Sequence, residues 1–66
     1  MIVVRKWVVE SRDPLNPTWK VVEHDPRTRR GLSWFLTFDE ADEARRGLAA
    51  YYADHNPDVE LRVVQT

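Results

Sequence analysis

The sequence predicts a single α+β domain over residues 1–66, with the element order β-β-β-α-β. Three observations carry that expectation. Three aromatic and β-branched stretches occupy the first half and are separated by proline-containing turns. One amphipathic segment with recognisable start and stop signals follows them. A short alternating stretch, Val59-Glu60-Leu61-Arg62-Val63, closes the chain.

Met1 to Glu10 reads as the first strand because it is rich in β-branched residues. Ile2, Val4 and Val8 share one parity, and Val3, Trp7 and Val9 share the other. Both faces are therefore covered, or a bulge changes register midway. Arg12-Asp13-Pro14-Leu15-Asn16-Pro17 is a turn, since its two prolines cannot donate to a ladder. Thr18 to His24 forms the second strand. Asp25-Pro26-Arg27-Thr28-Arg29-Arg30-Gly31 is a second turn, with Gly31 suited to positive φ. Leu32 to Phe38 is expected as a third strand, with Leu32, Trp34, Leu36 and Phe38 on one parity and Phe35 on the other.

The helix has the strongest local signals. Thr37-Phe38-Asp39-Glu40 has the form of a capping box: the Thr37 hydroxyl can accept from an orphan N–H, and Glu40 can reach back. Asp39, Glu40, Asp42 and Glu43 set negative charge against the positive end of the helix dipole. Ala41, Ala44, Leu48, Tyr51, Tyr52 and His55 mark one face, and Asp42 can pair with Arg46 one turn on. Gly47 sits in the middle at a cost of about 1 kcal/mol relative to alanine, which close approach of another backbone would explain. Asn56-Pro57 ends the helix, with Asn56 as a left-handed cap. The last strand turns Val59, Leu61 and Val63 inward. A right-handed crossover lays it beside the first strand and parallel to it, for a four-stranded mixed sheet in the order 4-1-2-3 with one helix on one face.

Size and composition narrow the possible functions. A chain of 66 residues without cysteine has neither disulfides nor thiolate metal sites to stabilise it. Three Trp, two Tyr and two Phe supply the apolar area instead, at roughly 150–250 Å² per buried ring. Ten Lys and Arg against eleven Asp and Glu give a net charge of −1 and no general attraction to nucleic acid or anionic membrane. Apolar runs are too short to span a bilayer or to form a signal peptide, so the chain is expected to begin at Met1 and to work in the cytoplasm. Eight Arg against two Lys fits a GC-rich source genome.

Catalysis is not expected. Ser11, Ser33 and the threonines have no histidine in a nucleophile-activating arrangement. The acidic group at Asp39 to Glu43 has the spacing of an ordinary helix first turn. His24 and His55 lack metal-ligand spacing, and Gly31 and Gly47 form no phosphate cradle. No cofactor, metal or small-molecule substrate is expected. Protein contact is the favoured reading, through self-association as a homodimer or binding to a host protein. Its anchors, in the interface or the core, are Trp7, Trp34 and Phe35, with the surplus apolar residues forming a patch on the sheet face that one helix leaves uncovered. The alternative is a DNA-binding or antitoxin-like module that uses Arg27, Arg29 and Arg30, with Arg5, Lys6, Lys20 and Arg62 on the strands.

The residues Trp19-x-Val21, Phe35-x-Thr37-x-x-Glu40-Ala41 and Leu61-Arg62-Val63-Val64 resemble a loose pattern of small accessory proteins of actinobacteria and their phages. That resemblance implies a short phage-encoded accessory protein and carries over no activity. The element order is similar to the partial ribonuclease-H-like fold of HicB-type antitoxins, without their Gly-Cys-rich segment or an appended DNA-binding region. The arm-site DNA-binding domain of phage integrases has a similar run of three strands and a helix, but does not imply the final strand.

Overall fold

The computed structural model describes residues 5–32 and 34–66. Two strands, β1 (Trp7–Asp13) and β2 (Asn16–Val21), precede one helix, α1 (Phe38–His55), and a third strand, β3 (Glu60–Gln65), follows it. The sheet is wholly antiparallel in the order β2-β1-β3. The expected beginning of the first strand at Met1 to Val4 lies outside the described residues.

β1 and β2 run further into the turn than their prolines suggest. Asp13 pairs with Asn16, leaving Pro14 and Leu15 as the loop. The Asp13 carboxylate accepts from the Leu15 and Asn16 N–H groups at 2.8 and 2.9 Å, which satisfies donors that a tight turn would otherwise strand. Pro17 is tolerated inside β2 because β2 is an edge strand, where a missing donor costs no ladder bond. The expected irregularity in β1 falls between Ser11 and Asp13, on the β2 side.

Among the described residues, the third strand expected over Leu32 to Phe38 does not form, and the sheet has three strands, not four. The segment makes one isolated bridge, Trp7 with Phe35, and a second, His24 with Gly31, lies just before it. Leu32 and Phe35 both pack against the core although they are three residues apart. A regular strand would send them to opposite faces. Phe38, assigned to the end of that strand, is the first helical residue, while Thr37 caps the helix as its sequence position predicts.

This difference also reverses the last strand. Phe35 exchanges backbone hydrogen bonds of 2.7 and 2.8 Å with Trp7, the first residue of β1, so α1 starts at that end of the sheet. The helix covers about 27 Å at 1.5 Å per residue and delivers the chain to Glu60, opposite Arg12 at the far end. β3 therefore returns antiparallel to β1. The expected adjacency of the first and last strands is present, but not their expected parallel direction or the fourth strand of the order 4-1-2-3.

The register assigns every side chain to a face. Trp7, Val9 and Ser11 stand opposite Gln65, Val63 and Leu61, and this face meets α1. The core joins Val9, Val22 and Leu48, with Leu32, Phe35, Ala44, Tyr52, Leu61 and Val63 packed around them. Leu48 is the largest side chain fully removed from water, a burial contributing about 1.5–3 kcal/mol. Ala41, Ala44, Leu48 and Tyr52 form the inward stripe of α1, whereas Tyr51 turns aside and stacks on His55 at 4.0 Å.

Both helix ends are satisfied locally. Thr37 is extended at φ −126° and its hydroxyl accepts from the Glu40 N–H at 3.2 Å. Asn56 is not a left-handed cap: its φ is −156°, and its N–H bonds to the Tyr52 carbonyl at 2.8 Å. His55 Nδ1 lies 2.8 Å from the Tyr51 carbonyl, the last-turn contact expected of a histidine at a helix C-terminus.

Candidate interaction surfaces

The face of the sheet opposite α1 carries alternating charges. Glu10 stands across from Arg62, and Arg12 across from Glu60. Both pairs close, Arg62 with Glu10 at 2.7 Å and Arg12 with Glu60 at 2.5 Å. Trp19 comes from β2 to the same face, where the guanidinium of Arg12 lies 4.5 Å and that of Arg62 lies 4.2 Å from its ring. Opposed charges and cation–π contacts thus knit three strands together. The far face is mixed: these ion pairs share it with Trp19, Val8, Val21 and Val64, and Val8 is buried there. Glu10, Arg12, Glu60 and Arg62 share one strand parity, which is the signal in the sequence that carries this grouping.

Exposed apolar side chains concentrate in the segment leading into α1. Trp34, Leu36 and Phe38 are 44, 60 and 47% exposed. The ammonium of Lys6 sits 4.4 Å from the Trp34 ring. The three anchors named from sequence separate here. Phe35 packs into the core. Trp7 is half-buried on the helix face, edge-on to Phe38 at 5.4 Å between ring centres. Trp34 faces outward. Leu36 and Phe38 were placed by sequence on a strand face, where their exposure was not legible.

The arginine loop is not a uniform cationic cluster. Asp25 is buried, and Arg27 grips it: Nε and the backbone N–H donate to one carboxylate oxygen, and Nη2 donates to the other at 2.9 Å. That hydrogen bond holds the Asp25 carboxyl below the usual carboxylate range despite the opposing effect of burial. The loop closes through Asp25 N–H to the Arg30 carbonyl and Arg29 N–H to the Asp25 carbonyl. Arg29, not Gly31, adopts positive φ, at 62°. Its side chain and those of Arg27 and Arg30 are exposed; Arg27 differs in being tied to the Asp25 carboxylate.

Arg27 also explains the glycine of α1. A Cβ on Gly47 would collide with Arg27 Nη1 and stand 3.0 Å from Cζ. The close neighbour is a guanidinium, not the backbone expected from sequence.

The acidic residues of α1 behave as helix-start devices. Asp39 and Glu40 occupy the first turn, and Asp42 binds Arg45 at 2.9 Å and Arg46 at 3.3 Å. Among the described residues, no group of three or more His, Cys, Asp and Glu converges on one point. No helix among them is long and apolar enough to cross a membrane. No protein-family model matches this chain, and no curated protein or solved structure shows significant similarity to it.

Proposed function

We propose that this chain acts by protein contact, not by catalysis, through the apolar segment that leads into α1. The observation that carries this reading is the exposure of Trp34, Leu36 and Phe38 around a partly buried Phe35 that packs against the core. Phe35 is fixed on both sides by its backbone bonds to Trp7 and by the core, so its neighbours are held outward before any partner arrives. Such preorganisation lowers the entropy cost of binding, and tryptophan is the side chain most enriched where binding energy concentrates. The partner is a protein offering an apolar pocket with a carboxylate beside it to meet Lys6.

Capture of partners from cells of the source, or from its host if the chain is phage-encoded, tests this. Wild-type protein is compared with a Trp34→Ala, Leu36→Asp variant of unchanged circular dichroism. A protein retained by the wild type and lost from the variant supports the reading. Equal capture by both removes it.

Contact with nucleic acid is a second reading, favoured by the exposure of Arg29 and Arg30 at one loop tip. Arg12, Arg27 and Arg62 are each engaged by a carboxylate, which leaves few cations to neutralise phosphates. It predicts salt-dependent retardation of duplex DNA that weakens when Arg29 and Arg30 become alanine. No retardation at low salt would dispose of it.

A further inference from the structure

The two edges of the sheet are built differently. β2 is blunted by Pro17, by Lys20 and by the irregularity opposite Ser11 and Asp13. β3 contains neither proline nor lysine and pairs with β1 in unbroken register from Gln65 to Glu60. Val9 accepts from the Val22 N–H on its β2 side, so Val9 and Val63 form a non-hydrogen-bonded pair. The same alternation turns the N–H and C=O groups of Leu61 and Val63 away from β1, along an edge that no other strand covers among the described residues. Beside that edge lies a concavity of about 260 Å³, lined by Arg45, Ala49, Tyr52 and Ala53 of α1 and, after it, by residues that include Val59 and Leu61.

We propose that β3 pairs antiparallel with β3 of a second copy, across a two-fold axis at Leu61, to make one six-stranded sheet. A two-fold axis perpendicular to the sheet keeps each face on its own side, so only residues of the same face can meet. Centring on Leu61 sets Glu60 opposite Arg62 of the second copy. Each row across the four inner strands then reads Glu10, Arg62, Glu60, Arg12, alternating in sign and extending the pairs already present within each copy. Centring on Arg62 would oppose two arginines, which is destabilising. Centring on Val63 would leave Glu60 and Arg62 without opposed charges. In the Leu61 register Val63 meets Val59 and its N–H faces the Val59 carbonyl, whereas the Val59 N–H is already given to the Asn56 carbonyl. On the helix side, the two Leu61 side chains lie over Ala49 and Ala53, whose small side chains leave the concavity open.

This surface is separate from the Trp34–Phe38 segment and does not depend on it. Sedimentation equilibrium at micromolar concentration should give twice the 7.8 kDa chain mass. The Leu61 and Val63 amides should exchange slowly in the dimer and rapidly after dilution. Ala53 is exposed, so Ala53→Arg should keep the helical circular dichroism while converting the dimer to monomer. A monomer at all concentrations, a dimer with freely exchanging Leu61 and Val63 amides, or an Ala53→Arg variant that still dimerises would each overturn the proposal.

Discussion

The guanidinium of Arg27 occupies the place where a side chain at Gly47 would begin, and the Asp25 carboxylate holds it there. This one contact ties the loop before the helix to the middle of the helix. It also sets a residue of poor helix propensity where any Cβ would displace that guanidinium.

Replacing Gly47 by alanine therefore sets two effects against each other. Alanine favours the helix by about 1 kcal/mol, but it displaces Arg27 and strips a buried carboxylate of its partner, at about 1–3 kcal/mol. Gly47→Ala should lower stability by about 1 kcal/mol in urea unfolding. In an Arg27→Ala background the same change should raise stability, because only the propensity effect remains. Equal effects in both backgrounds would show that the two residues are not coupled.

The Asp25–Arg27 pair also sets part of the acid response. Arg27 depresses the folded-state Asp25 carboxyl below its unfolded value, so the contribution to stability is fully present above the ordinary carboxylate pKa, about 3.9. It is lost as pH falls through the lower folded value. Unfolding midpoints measured below about pH 4 should fall less steeply for Asp25→Asn than for wild type, from a lower starting stability at neutral pH.

Thr37 supplies the side-chain acceptor for the Glu40 N–H at the start of α1. Thr37→Ala should cost about 1 kcal/mol, seen as a lower melting temperature. Thr37→Asp should retain most of the stability, because its carboxylate can accept the same bond and favours the helix dipole.

Leu48 is the largest side chain that is fully buried. Leu48→Ala should cost about 2–5 kcal/mol, comparable with the whole net stability of so small a domain. Loss of cooperative thermal unfolding is the expected result, whereas Ala50→Ser on the exposed side of the helix should unfold as wild type does.

The helix was readable from sequence because its signals are local. Thr37, the acidic first turn, the Ala41–Leu48–Tyr52 stripe and Asn56-Pro57 each act within a few residues. The course of residues 22–37 was not readable, since an apolar segment with aromatic residues has the composition of a strand whether or not a partner edge is free. Here β2 occupies part of that side of β1, and the Trp7–Phe35 bridge takes the start. Missing that placement also reversed the predicted direction of β3. The surfaces were only partly legible for a related reason. The Arg27 and Arg29 side chains differ in role because Asp25 is buried beneath one of them, a relation that spacing alone does not express.

The central position of β1 has a consequence for biosynthesis. Its partner on one side is β3, and Arg12 must meet Glu60 across most of the chain. During translation the β1–β2 hairpin emerges early but has only one flank covered, and the core-forming side of Val9 has no Val63 opposite it until the last strand leaves the ribosome. Long-range pairing of this kind is slow to nucleate. The domain is therefore committed to folding after synthesis of residues 60–65, and a nascent chain arrested before Glu60 should remain protease-sensitive however long it is held.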